Sequence, residues 1–306
     1  MRMYKDQYFL SKARIHVCRW EPQGQPKAIV QIVHGIAEYA ARYDAFAEFL
    51  TDRGFLVVAE DHMGHGGSIG ESGVQGYFDG GWFAAVGDTY RLLEQTKGEF
   101  PNVPYFLFGH SMGSFMVRTI LQEYPDCGIA GCVICGTGWL PEPVVKTGLQ
   151  LSKAVCKKSG EKASSKFLNG IVFAGYNKRV ERPQTPHDWL NRDAKAVAAY
   201  EADPLCGFIP SAGLLRDMLT GIVHIQKKEN LNKMRKDTPV FFIAGGDDPV
   251  GGYGNGVRKT ADKFKMCGME NVSCKIYPLC RHEILNEINR TEVYFDVLKW
   301  MENLTD

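Results

Sequence analysis

The stretch Tyr105-Phe106-Leu107-Phe108-Gly109-His110-Ser111-Met112-Gly113-Ser114 decides how this chain is read. An apolar run, a Gly-x-Ser-x-Gly turn and the start of a helix at about Met112 follow one another without a gap. A serine at a tight strand-to-helix turn is pushed out of the backbone, so its hydroxyl stands free above the sheet. Gly109 and Gly113 leave room where a side chain would crowd the turn or the helix–strand approach. The helix N-terminus aims free amides at the point where negative charge would develop. Glycine and serine also make ordinary turns; the order strand, turn, helix sets this stretch apart. A nucleophilic serine further needs a histidine, an acid and a second amide donor from elsewhere in the chain.

Upstream, Ala28–Val33 and Phe55–Ala59 are nearly continuous apolar runs, as strands covered on both faces are. Helical spacing of Tyr39, Tyr43, Phe46, Phe49 and Leu50 predicts a helix between them, and Trp82 to Lys97 reads as another. Tyr8–Leu10 and Arg14–Trp20 read as a lead-in pair of strands. In the second, His16 falls at a polar position and is expected at the surface. Downstream, a helix from Met112 to about Glu123, stopped by Pro125, leads to the strand Gly131–Cys135. This alternation implies a parallel sheet with helices on both faces. From about Thr137 to Asn230 no strong strand is legible. Helical segments replace it at Glu142–Lys158, Ser164–Phe173, Asp193–Tyr200 and Ala212–Lys228. The alternation resumes with Pro239–Ala244, a helix at about Gly256–Cys267 and the strand Ser273–Tyr277. A last helix runs from Leu285 or Asn289 to Glu302. The expected class is α/β, with a core domain of residues 1–136 and 231–306 and a helical cap insertion over residues 137–230.

The 306 residues are 44% apolar, as a globular protein requires. Lys+Arg total 36 against 35 Asp+Glu, so no net basic field draws the chain to nucleic acid or anionic membrane. Nine cysteines are odd in number and scattered. The one close pair, Cys132-Val133-Ile134-Cys135, lies in a strand, where side chains three apart point to opposite faces, so buried thiols are expected rather than a redox or zinc pair. Residues 1–10 lack the apolar core of a signal peptide, and no stretch approaches the ~20 apolar residues that span a bilayer. The expectation is a soluble cytoplasmic protein that makes no stable membrane insertion and acts on a small molecule.

Two late loops, Gly245-Gly246-Asp247-Asp248-Pro249-Val250 and Pro278-Leu279-Cys280-Arg281-His282-Glu283, leave the same carboxyl edge of the sheet as Ser111. The chain order is serine, acid, histidine. A serine hydroxyl is a poor nucleophile until a neutral imidazole takes its proton, and that imidazole needs an acid on its other nitrogen. His282 suits the base. The acid is Asp247 or Asp248: Pro249 restricts the direction of Asp248, while the other aspartate would stabilise the turn. The loop His34-Gly35-Ile36 suits the second donor, the Ile36 amide joining that of Met112 at an oxyanion, at about 3 kcal/mol per donor. His34 itself is expected to make a loop hydrogen bond. His62-x-x-His65 beside Asp61 has ligand spacing but no third or fourth ligand in evidence, so neither metal nor cofactor is expected. His110 is expected to point away from Ser111; His187 and His224, in the insertion, are expected to be exposed, with lining of a substrate pocket as the alternative.

These motifs together resemble the α/β-hydrolases of the monoacylglycerol lipase, lysophospholipase and serine aminopeptidase S33-like group. The matches are His34-Gly35-x-x-Glu38-x-x-x-Arg42-Tyr43, Asp61-x-x-Gly64-His65-Gly66-x-Ser68, Gly109-His110-Ser111-Met112-Gly113, Gly245-x-x-Asp248-Pro249-Val250 and Arg281-His282-Glu283. The resemblance implies Asp248 as the acid, before the Pro-Val step, and loop-holding roles for Glu38, Arg42 and Asp61. Met63 departs from it, standing where the group usually has arginine. The segments Asp188–Asp193 and Asp203–Phe208 resemble uncharacterised bacterial members called lysophospholipase-like. The implied activity is cleavage of carboxylic esters (monoacylglycerols, lysophospholipids or short to medium acyl esters) through an acyl-enzyme on Ser111. A serine at the elbow disfavours relatives that use an aspartate nucleophile. A peptidase or amidase would use the same machinery, with Glu181, Asp188, Asp193 or Glu201 to hold a substrate amine. A catalytically silent binding protein is the third reading, opposed by the intact serine, histidine and aspartate. Trp139, Leu140, Val144, Val145, Leu149, Leu151 and Val155 fit an amphipathic helix packed on the domain. Turned to the pocket instead, it would favour acyl chains.

Overall fold

The computed structural model describes residues 4–70 and 73–305. Eight strands form one sheet: β1 (Tyr4–Leu10), β2 (Arg14–Trp20), β3 (Ala28–Val33), β4 (Phe55–Glu60), β5 (Tyr105–His110), β6 (Gly131–Cys135), β7 (Val240–Gly245) and β8 (Val272–Tyr277). Their order is β1-β2-β4-β3-β5-β6-β7-β8. The β1–β2 and β2–β4 pairs are antiparallel, and every other pair is parallel. Every residue of β3 to β7 is buried, which is why these strands read as unbroken apolar runs.

Alternate residues serve two cores. Ile29, Leu107 and Phe242 face α2 (Trp82–Glu99), α3 (Met112–Glu123) and α9 (Asn255–Met266). Val30, Phe106 and Val133 face α1 (Asp44–Thr51) and α10 (Arg290–Glu302). Cys132 and Cys135 fall in different cores, as their spacing in a strand requires. The strand order reverses between β3 and β5. The carboxyl ends of these two neighbours release the His34–Ile36 loop and Ser111, which puts the serine at the switch point where open α/β sheets bind ligands.

Between β6 and β7 lie α4 (Glu142–Ser159), α5 (Lys166–Val172), α6 (Ala194–Ala202), α7 (Ala212–Ile225) and α8 (Lys228–Lys233). Ser165, Asp193 and Ser211 cap α5, α6 and α7, each side chain accepting an orphan amide of the first turn. α7 packs on α4 and, by its other side, on α2 and α3. Gly221 allows that approach, because a Cβ there would overlap the Trp82 indole.

Three expectations change, and a fourth is decided between its two alternatives. The helix expected from Tyr39 starts at Asp44, after a 3-10 turn at Ala40–Tyr43 whose Ala40 amide donates to Asp61 Oδ1 at 2.7 Å. The helix expected to reach Lys228 ends at Ile225; Asn230 Nδ2 donates to the His224 carbonyl at 2.9 Å, and α8 follows as a separate element. The last helix starts at Arg290 with Asn289 as its N-cap, which agrees with the later of the two expected starts; residues 283–289 are tied into the loop that carries His282. His16 is buried rather than at the surface. β1 pairs outside β2, and the Gly66–Ser68 turn packs over it, with the His16 amide donating to Ser68 Oγ at 2.8 Å.

Candidate active site

Ser111 stands between β5 and α3 at φ 53° and ψ −120°, a conformation that L residues rarely adopt. Three hydrogen bonds hold it there: its amide donates to the Cys135 carbonyl at 3.0 Å, and its carbonyl accepts from the Ser114 amide at 2.9 Å and from Ser114 Oγ at 2.5 Å. Both flanking glycines are required. A Cβ on Gly109 would come within 2.6 Å of the Gly113 carbonyl oxygen, and one on Gly113 would overlap the Val33 carbonyl.

The loops after β7 and β8 bring Asp248 and His282 together. Both are buried, and His282 Nδ1 lies 3.0 Å from Asp248 Oδ1. This is a close contact rather than an aligned hydrogen bond. Asp248 Oδ1 also accepts from the Val250 amide at 2.9 Å, and the Asp248 carbonyl from the Tyr253 amide at 2.8 Å. Asp247 turns elsewhere: its amide donates to the Cys280 carbonyl at 2.9 Å, and it lines a separate cavity of about 190 Å³ with Tyr176 and Arg179. Asp248 is thus the aspartate that meets His282.

On the other side of Ser111, Glu38 organises the loop after β3. Its Oε1 accepts from the Gly35 amide at 2.6 Å and the Tyr43 hydroxyl at 2.9 Å, and its Oε2 from Arg42 at 2.8 Å. Arg42 continues to Glu283 as a bidentate pair at 2.6 and 2.9 Å. Burial alone would raise the Glu38 pKa, but His110 and Arg42 beside it hold the carboxyl below the usual range. Gly35 lets this loop close on Ser111, since a Cβ there would sit 3.1 Å from Ser111 Cβ. Ile36 and Met112 both line the cavity that Ser111 faces. The Met112 amide opens α3 and so has no acceptor within the helix.

The other histidines divide. His34 is buried and donates from Nδ1 to the Gly35 carbonyl at 2.8 Å, while its Nε2 accepts from the His62 amide at 3.0 Å. Burial and the neighbouring His62 and His65 push its pKa down, in keeping with this neutral tautomer. The rings of His62 and His65 turn to backbone carbonyls, His62 Nε2 to His34 at 3.0 Å and His65 Nδ1 to Met63 at 2.9 Å. His110 does not point away from the site. Its ring lies 4.7 Å from that of His282, with Nδ1 3.1 Å from Glu38 Oε1 and Nε2 3.3 Å from the His282 carbonyl. Burial would lower its pKa, but Glu38 prevails and raises it. His187 is half-buried and lines the cavity, its Nδ1 2.7 Å from Glu201. His224 is half-buried too, 3.0 Å from Glu123.

The cavity over Ser111 holds about 450 Å³. Gly35, Ile36, Ser111, Met112 and His282 line it from the sheet side; Val144, Val145 and Gly148 of α4 and Met218, Leu219 and Ile222 of α7 line it from the insertion. Trp189, whose ring centroid is 5.1 Å from that of His282, also belongs to the insertion. Sequence reasoning missed its part here: a single tryptophan in an irregular segment carries no periodic signal. A second cavity of about 450 Å³ opens at the amino ends of β5 to β7, beside Tyr105, Ala130 and Pro239, on the edge opposite Ser111.

A serine on a left-handed elbow at the switch point, with a histidine–aspartate pair delivered by the loops after β7 and β8, defines an α/β-hydrolase. The profile of the family described as serine aminopeptidase, S33, matches residues 24–289, and the chain belongs to that family. It is 42% identical over 291 residues to the monoglyceride lipase homolog of monkeypox virus, an alignment covering 92% of this chain and 91% of that one. It is 32% identical over 189 residues to mouse monoglyceride lipase, covering 61% of this chain and 55% of the mouse protein. The chain therefore spans about half the length of that relative. A highly thermostable carboxyl esterase from Bacillus coagulans, solved in complex with glycerol, superimposes with a TM-score of 0.92 at 30% identity over 99% of each chain. Among the described residues, no helix is long and apolar enough to cross a membrane.

Proposed function

We propose that this protein is a serine hydrolase that cleaves carboxylic esters, with monoacylglycerols or short to medium acyl esters as its substrate class. Ser111 attacks the acyl carbon, and His282 takes its proton and then returns it to the leaving alcohol. Asp248 orients His282 and stabilises the imidazolium. The amides of Ile36 and Met112 bind the oxyanion. Water, activated by His282, then releases the acid from the acyl-enzyme. The observation that carries this reading is the contact of 3.0 Å between His282 Nδ1 and Asp248 Oδ1, with His282 lining the same cavity as Ser111. Residues 137–230 act as a cap over a core of residues 1–136 and 231–306, and the apolar lining from α4 and α7 favours an acyl chain. Nine scattered cysteines, odd in number and seven of them buried, support a cytoplasmic location.

The same machinery can cleave amides, but the site favours esters. The insertion carboxylates that could hold a substrate amine are engaged or turned outward. Asp188 accepts from Thr185 Oγ1 at 2.6 Å, Asp193 caps α6, Glu201 meets His187, and Glu181 is exposed. The cavity's own Glu38 and Glu283 are paired with Arg42. The test is a graded panel of p-nitrophenyl esters, monoacylglycerols, lysophospholipids and aminoacyl anilides. Esters turned over faster than anilides are expected; a preference for anilides overturns the reading. A fluorophosphonate probe is expected to label Ser111, and a silent fold would stay unlabelled.

A further inference from the structure

Residues 188–192 of the insertion and residues 281–287 after β8 are joined along their length. The Arg281 guanidinium donates to the carbonyls of Asp188 and Asn191 at 2.7 and 2.8 Å. The His282 amide reaches the Trp189 carbonyl at 3.4 Å, and the Glu283 amide the Leu190 carbonyl at 2.8 Å. Coming back from the other side, Glu287 accepts from the Arg281 amide at 2.9 Å, the Arg192 amide at 3.2 Å and Arg192 Nε at 2.9 Å. His282 is thus bracketed in sequence: the residue before it is fixed by Glu287 and the residue after it by Leu190.

Two features show that this arrangement is costly and specific. Glu287 is 0% exposed, and burying a carboxyl group there is costly unless its oxygens accept hydrogen bonds. Residues 285–289 also stay outside α10, although their sequence permits a helix, and that irregular path lets Glu287 reach back to the Arg281 amide. Nothing in the acid or nucleophile loops needs either feature. The imidazole, by contrast, has loose partners of its own: a contact with Asp248 that is not an aligned hydrogen bond, and the rings of His110 and Trp189.

We propose that this strap positions the base: Arg281 and Glu287 hold His282 in register with Ser111 and Asp248, so the insertion sets the geometry of proton transfer as well as the shape of the cavity. The proposal rests on the assignment of His282 as the base. Misplacement of a reacting group by about 1 Å costs on the order of a hundredfold in rate, while substrate binding in a cavity formed mostly elsewhere is unaffected.

The test uses the whole protein with Arg281→Met, Arg281→Lys, Glu287→Gln and His282→Ala, each titrated for active sites with a fluorophosphonate. Arg281→Met and Glu287→Gln are expected to lower kcat per titrated site on a p-nitrophenyl ester about tenfold or more, with KM unchanged and the probe's labelling rate falling in parallel. Arg281→Lys, which can still donate to both carbonyls, restores kcat to within about threefold. Wild-type kcat per site and wild-type labelling rate in both strap variants overturn the proposal. So does a loss confined to melting temperature and to the number of titratable sites, which is the signature of a purely structural role. If Glu287→Gln does not fold, the two Arg281 variants decide alone. Retained activity in His282→Ala refutes the base assignment itself, a result separable from failure of the strap.

Discussion

Ser111 carries backbone strain of the kind that the proposed chemistry would use. At φ 53° and ψ −120° glycine is at ease and any residue with a Cβ is not. Ser111→Ala keeps the Cβ and loses the hydroxyl, so it is expected to lower ester turnover at least about a thousandfold with an unchanged fold. Ser111→Gly is equally inactive but relieves the backbone, and it is expected to be more stable than Ser111→Ala by about 1 kcal/mol in urea unfolding. Equal stability of the two would mean that the elbow stores no strain. Turnover above about a hundredth of wild type in either would mean that another nucleophile carries the reaction. The elbow was fully legible in the sequence because strain at a turn needs its glycines at fixed places, Gly109 and Gly113. The acid was less so: Asp247 and Asp248 are adjacent, and only the path of the loop, with the Val250 amide on Asp248 Oδ1, shows which of them meets His282.

At the level of elements, the interior strands were legible and the sheet's margin was not. β3 to β7 are buried on both faces and say so by composition. β2 looks like a half-exposed strand, yet β1 covers its outer edge and the Gly66–Ser68 turn lies across it. His16 is therefore enclosed between two carboxylates, Asp61 Oδ2 at 2.7 Å and Asp6 Oδ1 at 2.7 Å. Burial alone would lower its pKa, but the hydrogen bonds to Asp61, Cys18 and Asp6 outweigh it and raise it to about 11. A folded-state value above the unfolded one of about 6.5 favours folding most below that unfolded value, and the contribution is lost as pH rises toward 11. The urea midpoint is expected to fall between pH 7 and pH 10, and to fall less in His16→Gln. The loop from Asp61 to Ser68 should loosen with it, because Asp61 Oδ2 also holds the Gly67 amide at 2.7 Å. A midpoint whose pH dependence is the same in wild type and His16→Gln would show that His16 is not charged in the fold.

For the whole molecule, the proposed division of labour runs between a sheet edge that carries Ser111, Asp248 and His282 and an insertion that supplies most of the cavity lining. The sheet edge could be read from sequence because each reacting residue leaves the end of a strand in a fixed order. The helices of the insertion could be read too, α4 to α7 falling close to the expected segments, but not which of their faces lines the cavity: the apolar residues turn partly to solvent and partly inward, and Val144 is both 61% exposed and part of the lining. Its depth can nevertheless be altered at one point. Gly148 of α4 lines the cavity, and a Cβ there would meet only the Leu219 side chain, at 3.4 Å, across ordinary contact distance. A larger side chain then extends into the apolar end of the cavity, while glycine's cost within a helix, about 1 kcal/mol against alanine, is removed. Gly148→Leu is therefore expected to fold at least as stably as wild type. It should leave kcat/KM for p-nitrophenyl acetate unchanged and lower it for a long-chain ester at least about tenfold, as the loss of one or two methylene sites in an apolar pocket does. If chain-length preference does not move, the acyl group lies elsewhere, and the apolar lining of α4 and α7 is packing between insertion and core rather than a substrate surface.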